Sequence, residues 1–306
     1  MNVREWALIT FTILAQMSVG AFWVLGIVHF YATRKAGTEE ADRMSDLALL
    51  AVIPVLALGM LASLLHLGNP LSAYKAVSNL GTSWLSREIL FGVLFAVSGA
   101  VFAFLQLRKV GTFSMRNIVA WVAALFGLGL VVSMSNVYML YSQPAWNTLA
   151  TPVSFFVTTL LLGSLAMGAA FVWNYARVQK TNPGCADVQC ELMRTTLRWI
   201  AVGTVLLLGV ELVVLPLYVA YLATGNAAAI ASLSMMISTF GVVFALRLIL
   251  VFVGAGVFGL FLYQNASSVG REKVLGSLAY SAFVLVFVAE VMGRFLFYTT
   301  HHGIGL

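Results

Sequence analysis

Charge is what this chain is shortest of: only 9% of its 306 residues are Asp, Glu, Lys or Arg, where a water-soluble domain carries about a quarter. With 61% hydrophobic residues and a mean hydropathy of +0.97, that shortage excludes a soluble fold. Proline is scarce too, and Pro54 and Pro216 fall inside apolar runs, where a packed bundle tolerates a bend. Cysteine is limited to Cys185 and Cys190, in one polar loop. A lone C-x4-C lacks the ligand count of a zinc or iron–sulfur site, so no metal is expected and both thiols read as free loop thiols. The apolar runs show no period-2 alternation, which excludes a β-barrel.

What the sequence has in excess is long apolar runs. Eight segments, roughly 6–33, 45–66, 87–107, 117–141, 152–178, 195–223, 239–263 and 274–299, each reach the ~20 residues that cross a hydrocarbon core. The expected fold class is an all-α membrane protein, an eight-transmembrane-helix bundle forming a single integral-membrane domain over 1–306. The first run extends from Trp6 to Tyr31, beyond the h-region of a signal peptide, and no A-x-A-like site follows, so it is expected to remain as a span. Segment 34–44 reads as a charged turn, with Asp42 or Ser45 capping span two.

The net charge of +6 maps onto topology. Arg34, Lys35, Arg43, Arg108, Lys109, Arg116, Arg177, Lys180, Arg194, Arg198, Arg271 and Lys273 fall on one side, against Arg4, Lys75 and Arg87 on the other. By the positive-inside rule both termini are expected on the periplasmic side of a bacterial inner membrane. The basic residues thus report orientation, and nucleic-acid binding has no support.

Chemistry concentrates in the stretch from Leu61 to Glu88. An apolar run ends at His66, is stopped by Gly68 and Pro70, crosses a polar interval containing Lys75, and resumes with Arg87 and Glu88 in the first turns of span three. A histidine that titrates near neutrality and a carboxylate at the same membrane surface suit a site that takes protons from a lipid-borne reductant. Each also has a purely structural account: His66 complements a helix C-terminus, and Glu88 an N-terminus.

Four more ionisable residues lie within spans, namely Glu211, Arg247, Glu290 and Arg294. Such residues mark function or pairing, and Glu211–Arg247 and Glu290–Arg294 are the expected structural ion pairs. Gly254, Gly256 and Gly259 spell G-x-G-x-x-G without a preceding strand, so they read as helix packing. The glycines of spans three and four, Gly92, Gly99, Gly127 and Gly129, read the same way. His29 belongs at the inner surface and His66 at the outer, about a membrane thickness apart, so the two cannot share one haem iron. The tail histidines His301 and His302 read as interfacial or disordered. A transporter would gather polar residues at the midplane, whereas here they gather toward one pole.

Four elements together resemble the membrane-anchor C subunit of the anaerobic dimethyl sulfoxide reductase family. They are Leu65-His66-Leu67-Gly68-Asn69-Pro70, Ser86-Arg87-Glu88-Ile89, Pro144-Ala145-Trp146 with Thr151-Pro152 and Phe155-Phe156, and Glu290-Val291-Met292-Gly293-Arg294 with Phe297-Tyr298. The resemblance implies a three-subunit oxidoreductase of anaerobic respiration. In it the anchor oxidises menaquinol, its substrate, and passes electrons to an iron–sulfur subunit that feeds a molybdopterin catalytic subunit. It implies that His66 and Glu88 act on the quinol, with Pro70, Lys75, Arg87 and Arg294 around it, and that clusters and molybdopterin reside in the partners. Where the family carries an arginine two residues after the motif proline, this sequence has Ser72, and Lys75 is the nearest substitute for its charge. The competing expectation is a passive tether for the catalytic subunits.

Overall fold

Backbone amides inside a bilayer find no water to bond, so each apolar run must close its own hydrogen bonds. In the computed structural model all eight runs do so as helices. The structure describes residues 3–64, 78–181, 186–268 and 270–304, and no strand occurs among them. Six spans are single helices before the seventh: α1 (Val3–Ala36), α2 (Thr38–Leu64), α3 (Trp84–Leu107), α4 (Phe113–Val137), α5 (Ala150–Thr181) and α6 (Ala186–Ala223). A short α7 (Ala227–Ser234) and a π-helical turn (Met235–Thr239) lead into the seventh span. That span is α8 (Gly241–Val251) and α9 (Phe258–Ala266), joined through a second π-helical turn at Phe252–Val257, and α10 (Glu272–Thr299) is the eighth.

The first connection is tighter than its charge pattern suggests. Segment 34–44 is not a loop; the backbone turns on Gly37 alone, at φ +88°, where only glycine adopts the left-handed conformation without strain. Helix α2 therefore starts at Thr38, with Glu39 and Glu40 in the first turn where the helix dipole favours them. Asp42 and Ser45 lie inside α2 and cap nothing. Asp42 instead meets His29 Nε2 at 2.9 Å, Lys109 Nζ at 2.7 Å and Gln106 Nε2 at 2.6 Å, a network that ties α1, α2 and the end of α3 together. Cys190 also departs from expectation: it is a free thiol, but buried in the first turns of α6 rather than in a loop. Cys185 lies outside the described residues.

The bundle is built around α1 and α5, its two most buried spans. They cross at Gly20 and Gly163, where a Cβ on Gly20 would stand 1.8 Å from the Thr159 carbonyl oxygen and one on Gly163 2.2 Å from the Gly20 carbonyl carbon. Small residues at such a crossing let the two backbones touch, which is how helices associate without a hydrophobic drive between them. The G-x-G-x-x-G glycines pack helices as expected. A Cβ on Gly254 would meet Val286 of α10 at 2.7 Å, while Gly256 and Gly259 face Leu208 and Val205 of α6. On α4, Gly129 accommodates Phe91 of α3 and Gly127 faces Val19 of α1. Both ends of the protein reach the same pole, as the contact of Trp6 with Phe295 at 6.2 Å shows. We call this the terminal pole.

The crossing makes a prediction. Gly20→Val or Gly163→Val should abolish the folded protein, since the added carbons overlap backbone rather than a flexible side chain; the cost should exceed the ~1–3 kcal/mol of ordinary overpacking. Gly26→Ala and Gly203→Ala, with open space around each, should be silent. The amount of tagged protein surviving mild heating in detergent measures all four.

Candidate functional site

Glu88 is carried into the bundle by the start of α3. Ser83 is the N-cap, extended at φ −107° and ψ 120°, and its side-chain oxygen accepts from the Ser86 amide at 3.3 Å. Helix therefore begins at Trp84, and Glu88 falls on the inward face beside the buried Ser86, with 5% of its surface exposed. Arg87, next to it, points the other way. Its Nε and a terminal nitrogen donate to the carbonyls of Leu80 and Gly81 at 2.8 and 2.7 Å, and its guanidinium lies 4.3 Å from the Trp84 ring. Arg87 thus holds the preceding turn at the rim. His66, Pro70 and Lys75 lie outside the described residues.

Inward of Glu88 stands a pair of phenols. Tyr138, which caps α4, and Tyr298 of α10 share a hydrogen bond of 2.7 Å, and both are close enough to Glu88 to feel its charge. Aromatic packing fixes them: Tyr138 meets Trp146, Phe155 and Phe297 with ring centroids 5.2–5.7 Å apart. The Trp146 indole donates to the Phe297 carbonyl at 2.8 Å and stacks on His301 at 4.1 Å. The Ile304 amide also packs back onto this loop, donating to the Ser142 carbonyl at 2.9 Å.

Next to this cluster lies a buried ionic group. Arg247 of α8 pairs with Glu211 of α6, as the charges in the sequence suggest. The expected Glu290–Arg294 pair is not made. Arg294 donates to Gln16 Oε1 at 2.7 Å and lies over the Phe155 ring at 3.8 Å, drawn toward α1 and α5. Glu290 turns the other way, its Oε2 accepting from Thr158 Oγ1 at 2.6 Å and its Oε1 standing 4.0 Å from Arg247. Gly293 makes this possible, because a Cβ there would lie 2.5 Å from Arg247 Nε. All four charged residues line one cavity of about 130 Å³.

Sequence reasoning missed Gln16 and Thr158, which satisfy Arg294 and Glu290. The signal was present for Gln16, a lone amide in the middle of the first apolar run, where a polar group is costly unless it has a partner. For Thr158 there was none, since a threonine in a membrane helix ordinarily bonds a carbonyl of its own helix.

Known proteins resemble this one along nearly its whole length. The family described as DMSO reductase anchor subunit (DmsC) matches residues 1–300. The C chain of the anaerobic dimethyl sulfoxide reductase of Haemophilus influenzae is 27% identical over 306 residues, covering 100% of the present sequence and 98% of its own. Its namesake from Escherichia coli is 28% identical over 309 residues, covering 99% and 97%. A shorter likeness, 33% over 98 residues and about a third of either protein, is to the C subunit of sulfite dehydrogenase of Allochromatium vinosum.

The ionic group should behave as a unit. Arg247→Leu leaves two buried carboxylates without their cation and should cost about 3–5 kcal/mol, enough to deplete the folded protein. Glu211→Leu combined with Arg247→Leu removes the Arg247–Glu211 ion pair outright and should recover a measurable part of that loss. Thermal survival in detergent of the two variants, compared in one experiment, checks the order.

Proposed function

Since the chain belongs to the family of dimethyl sulfoxide reductase anchor subunits, we propose that it is the quinol-oxidising subunit of such a complex in the bacterial inner membrane. Menaquinol is its substrate. It docks at the terminal pole between α2 and α3, and gives up two protons and two electrons to become menaquinone. His66 accepts the proton of one ring hydroxyl and Glu88 that of the other, while Lys75 and Arg294 balance the charge that develops. Pro70 ends the helix carrying His66, and Arg87 holds the rim at the start of α3. The electrons leave to an iron–sulfur subunit and from there to a molybdopterin catalytic subunit.

The observation that carries this reading is Glu88 itself. A carboxylate 5% exposed, within electrostatic reach of a phenol pair and at the first turns of a membrane helix, is placed against its own solvation. A group kept there at such a cost suits proton transfer with a buried partner better than it suits a surface anchor. His66 follows the last described residue of α2 by two positions, and α2 packs on α3. Orientation follows from charge: the pole opposite the terminal one carries Arg34, Lys35, Arg43, Lys109 and Arg116, so we take it as cytoplasmic and the terminal pole as periplasmic.

Glu88→Gln and His66→Gln should each slow reduction of the partner's clusters by a quinol analogue at least ~100-fold, the usual range for removing a positioned acid or base. The complex must still assemble, shown by co-purification of its subunits. Turnover unchanged in an assembled complex defeats the proposal and leaves a passive tether.

A further inference from the structure

The cavity beside Arg294 is not the place where Glu88 sits. Most of its wall comes from α5, α6, α8 and α10, and neither Glu88 nor the Tyr138–Tyr298 pair contributes to it. Three polar atoms at this cavity have no hydrogen-bond partner among the described residues: Glu211 Oε2, Arg247 Nε and Glu290 Oε1. Glu290 is 4% exposed, so its free oxygen cannot be reaching water outside the protein. An orphan of this kind inside a membrane protein is costly and calls for an occupant that completes it.

The set of orphans describes that occupant. Two carboxylates and two guanidiniums line the space, so it is formally neutral and selects neither an anion nor a cation. One orphan is a donor and two are acceptors, which fits an uncharged molecule carrying hydroxyls, since each hydroxyl both donates and accepts. Phe244, Phe297, Val214 and Leu215 supply apolar wall, the mixture of a small-molecule site in which few polar groups orient a mostly apolar ligand. Helices α6 and α8 carry lipid-exposed residues on either flank, Val213 and Leu217 on one and Val242 on the other. The Glu211–Arg247 pair joins the two helices. The surrounding backbone is irregular: π-helical turns lie on either side of α8, and Pro216 lies within α6 a little more than one turn beyond Glu211. Irregular turns of this kind inside membrane helices accompany binding sites.

We propose that this compartment is a second quinone site, receiving a quinone or hydroquinone ring from the bilayer between α6 and α8. Arg247 Nε donates to a ring oxygen of either form, and a hydroxyl of the hydroquinone donates to Glu290 Oε1. The choice of a quinone ring among uncharged amphipathic molecules rests on the redox role proposed above; the site itself rests on the cavity and its orphaned atoms. Arg294 faces both compartments, since it lines the cavity and lies within electrostatic range of Tyr138 and Tyr298.

The test counts quinone. The intact complex, in nanodiscs of quinone-free lipid, is titrated with a short-chain naphthoquinone and the bound equivalents are measured. Two equivalents per anchor subunit are expected. Ser154→Phe, which fills the cavity from α5 without touching the charges, should remove one and leave turnover at Glu88 in place. Val214→Phe does the same from α6, should the first variant fail to assemble. Glu88→Gln should weaken the other equivalent about tenfold, as the loss of one buried charge-assisted hydrogen bond does. A single equivalent untouched by either filling variant means that water alone occupies the cavity, and overturns the second site. A single equivalent lost on filling and kept in Glu88→Gln supports the cavity and removes the quinol from Glu88 instead.

Discussion

Helices α1 and α5 touch backbone to backbone at Gly20 and Gly163, and that contact sets the register of everything nearer the terminal pole. One turn up from Gly20 is Gln16, and one turn up from Thr159 is Phe155. The register at the crossing brings them level, so the Gln16 amide donates to the Phe155 carbonyl at 2.9 Å. With its nitrogen committed, Gln16 presents its oxygen to Arg294, and Phe155 presents its ring to the same guanidinium. Thr158 is set on the neighbouring face of α5, where it reaches Glu290. A one-residue slip at the glycines would rotate each of these groups away from its partner.

Dielectric explains why that register matters so much. Coulomb energies that are minor in water grow severalfold in a bundle interior, and an unpartnered charge there costs more than its pairing returns. The protein answers with exchange between helices rather than along one. Glu290 and Arg294 sit four residues apart on α10 and had the opportunity to pair with each other, yet each is claimed by a neighbour: α5 and α8 for the carboxylate, α1 for the guanidinium. The outcome is a layer in which five helices are cross-linked, α6 through Glu211, with Gly293 supplying the space for Arg247 against α10.

These facts also mark how far a sequence reaches. The eight spans were legible because roughly 20 apolar residues in a row admit one structure in lipid, and the packing role of Gly254, Gly256 and Gly259 was legible because a dinucleotide motif needs a strand that is absent. The Glu211–Arg247 pair could be foreseen from opposite charges at similar depth. The Glu290–Arg294 pair was misread because spacing along one helix says nothing about which neighbours compete. The turn at Gly37 was misread because a polar run looks like a loop, whereas a single left-handed glycine lets two helices abut and turns Asp42 and Asp46 into ligands for Lys109. Cys190 was misplaced for the same reason, a polar stretch being carried inside a helix end.

Glu88 remains the most telling position, and the geometry around it separates two demands that one carboxylate would otherwise have to meet. Its cap, Ser83, and its neighbour Arg87 are occupied with shaping the turn before α3, so neither neutralises it. Within its electrostatic reach are two phenols bonded to one another, Tyr138 and Tyr298. Arg294 is held by Gln16 and Phe155 rather than by Glu88. Among the described residues Glu88 is therefore buried with no ion-pair partner, and the aromatic belt of Trp146, Phe297 and His301 preserves that arrangement by locking the end of α10 to the loop before α5.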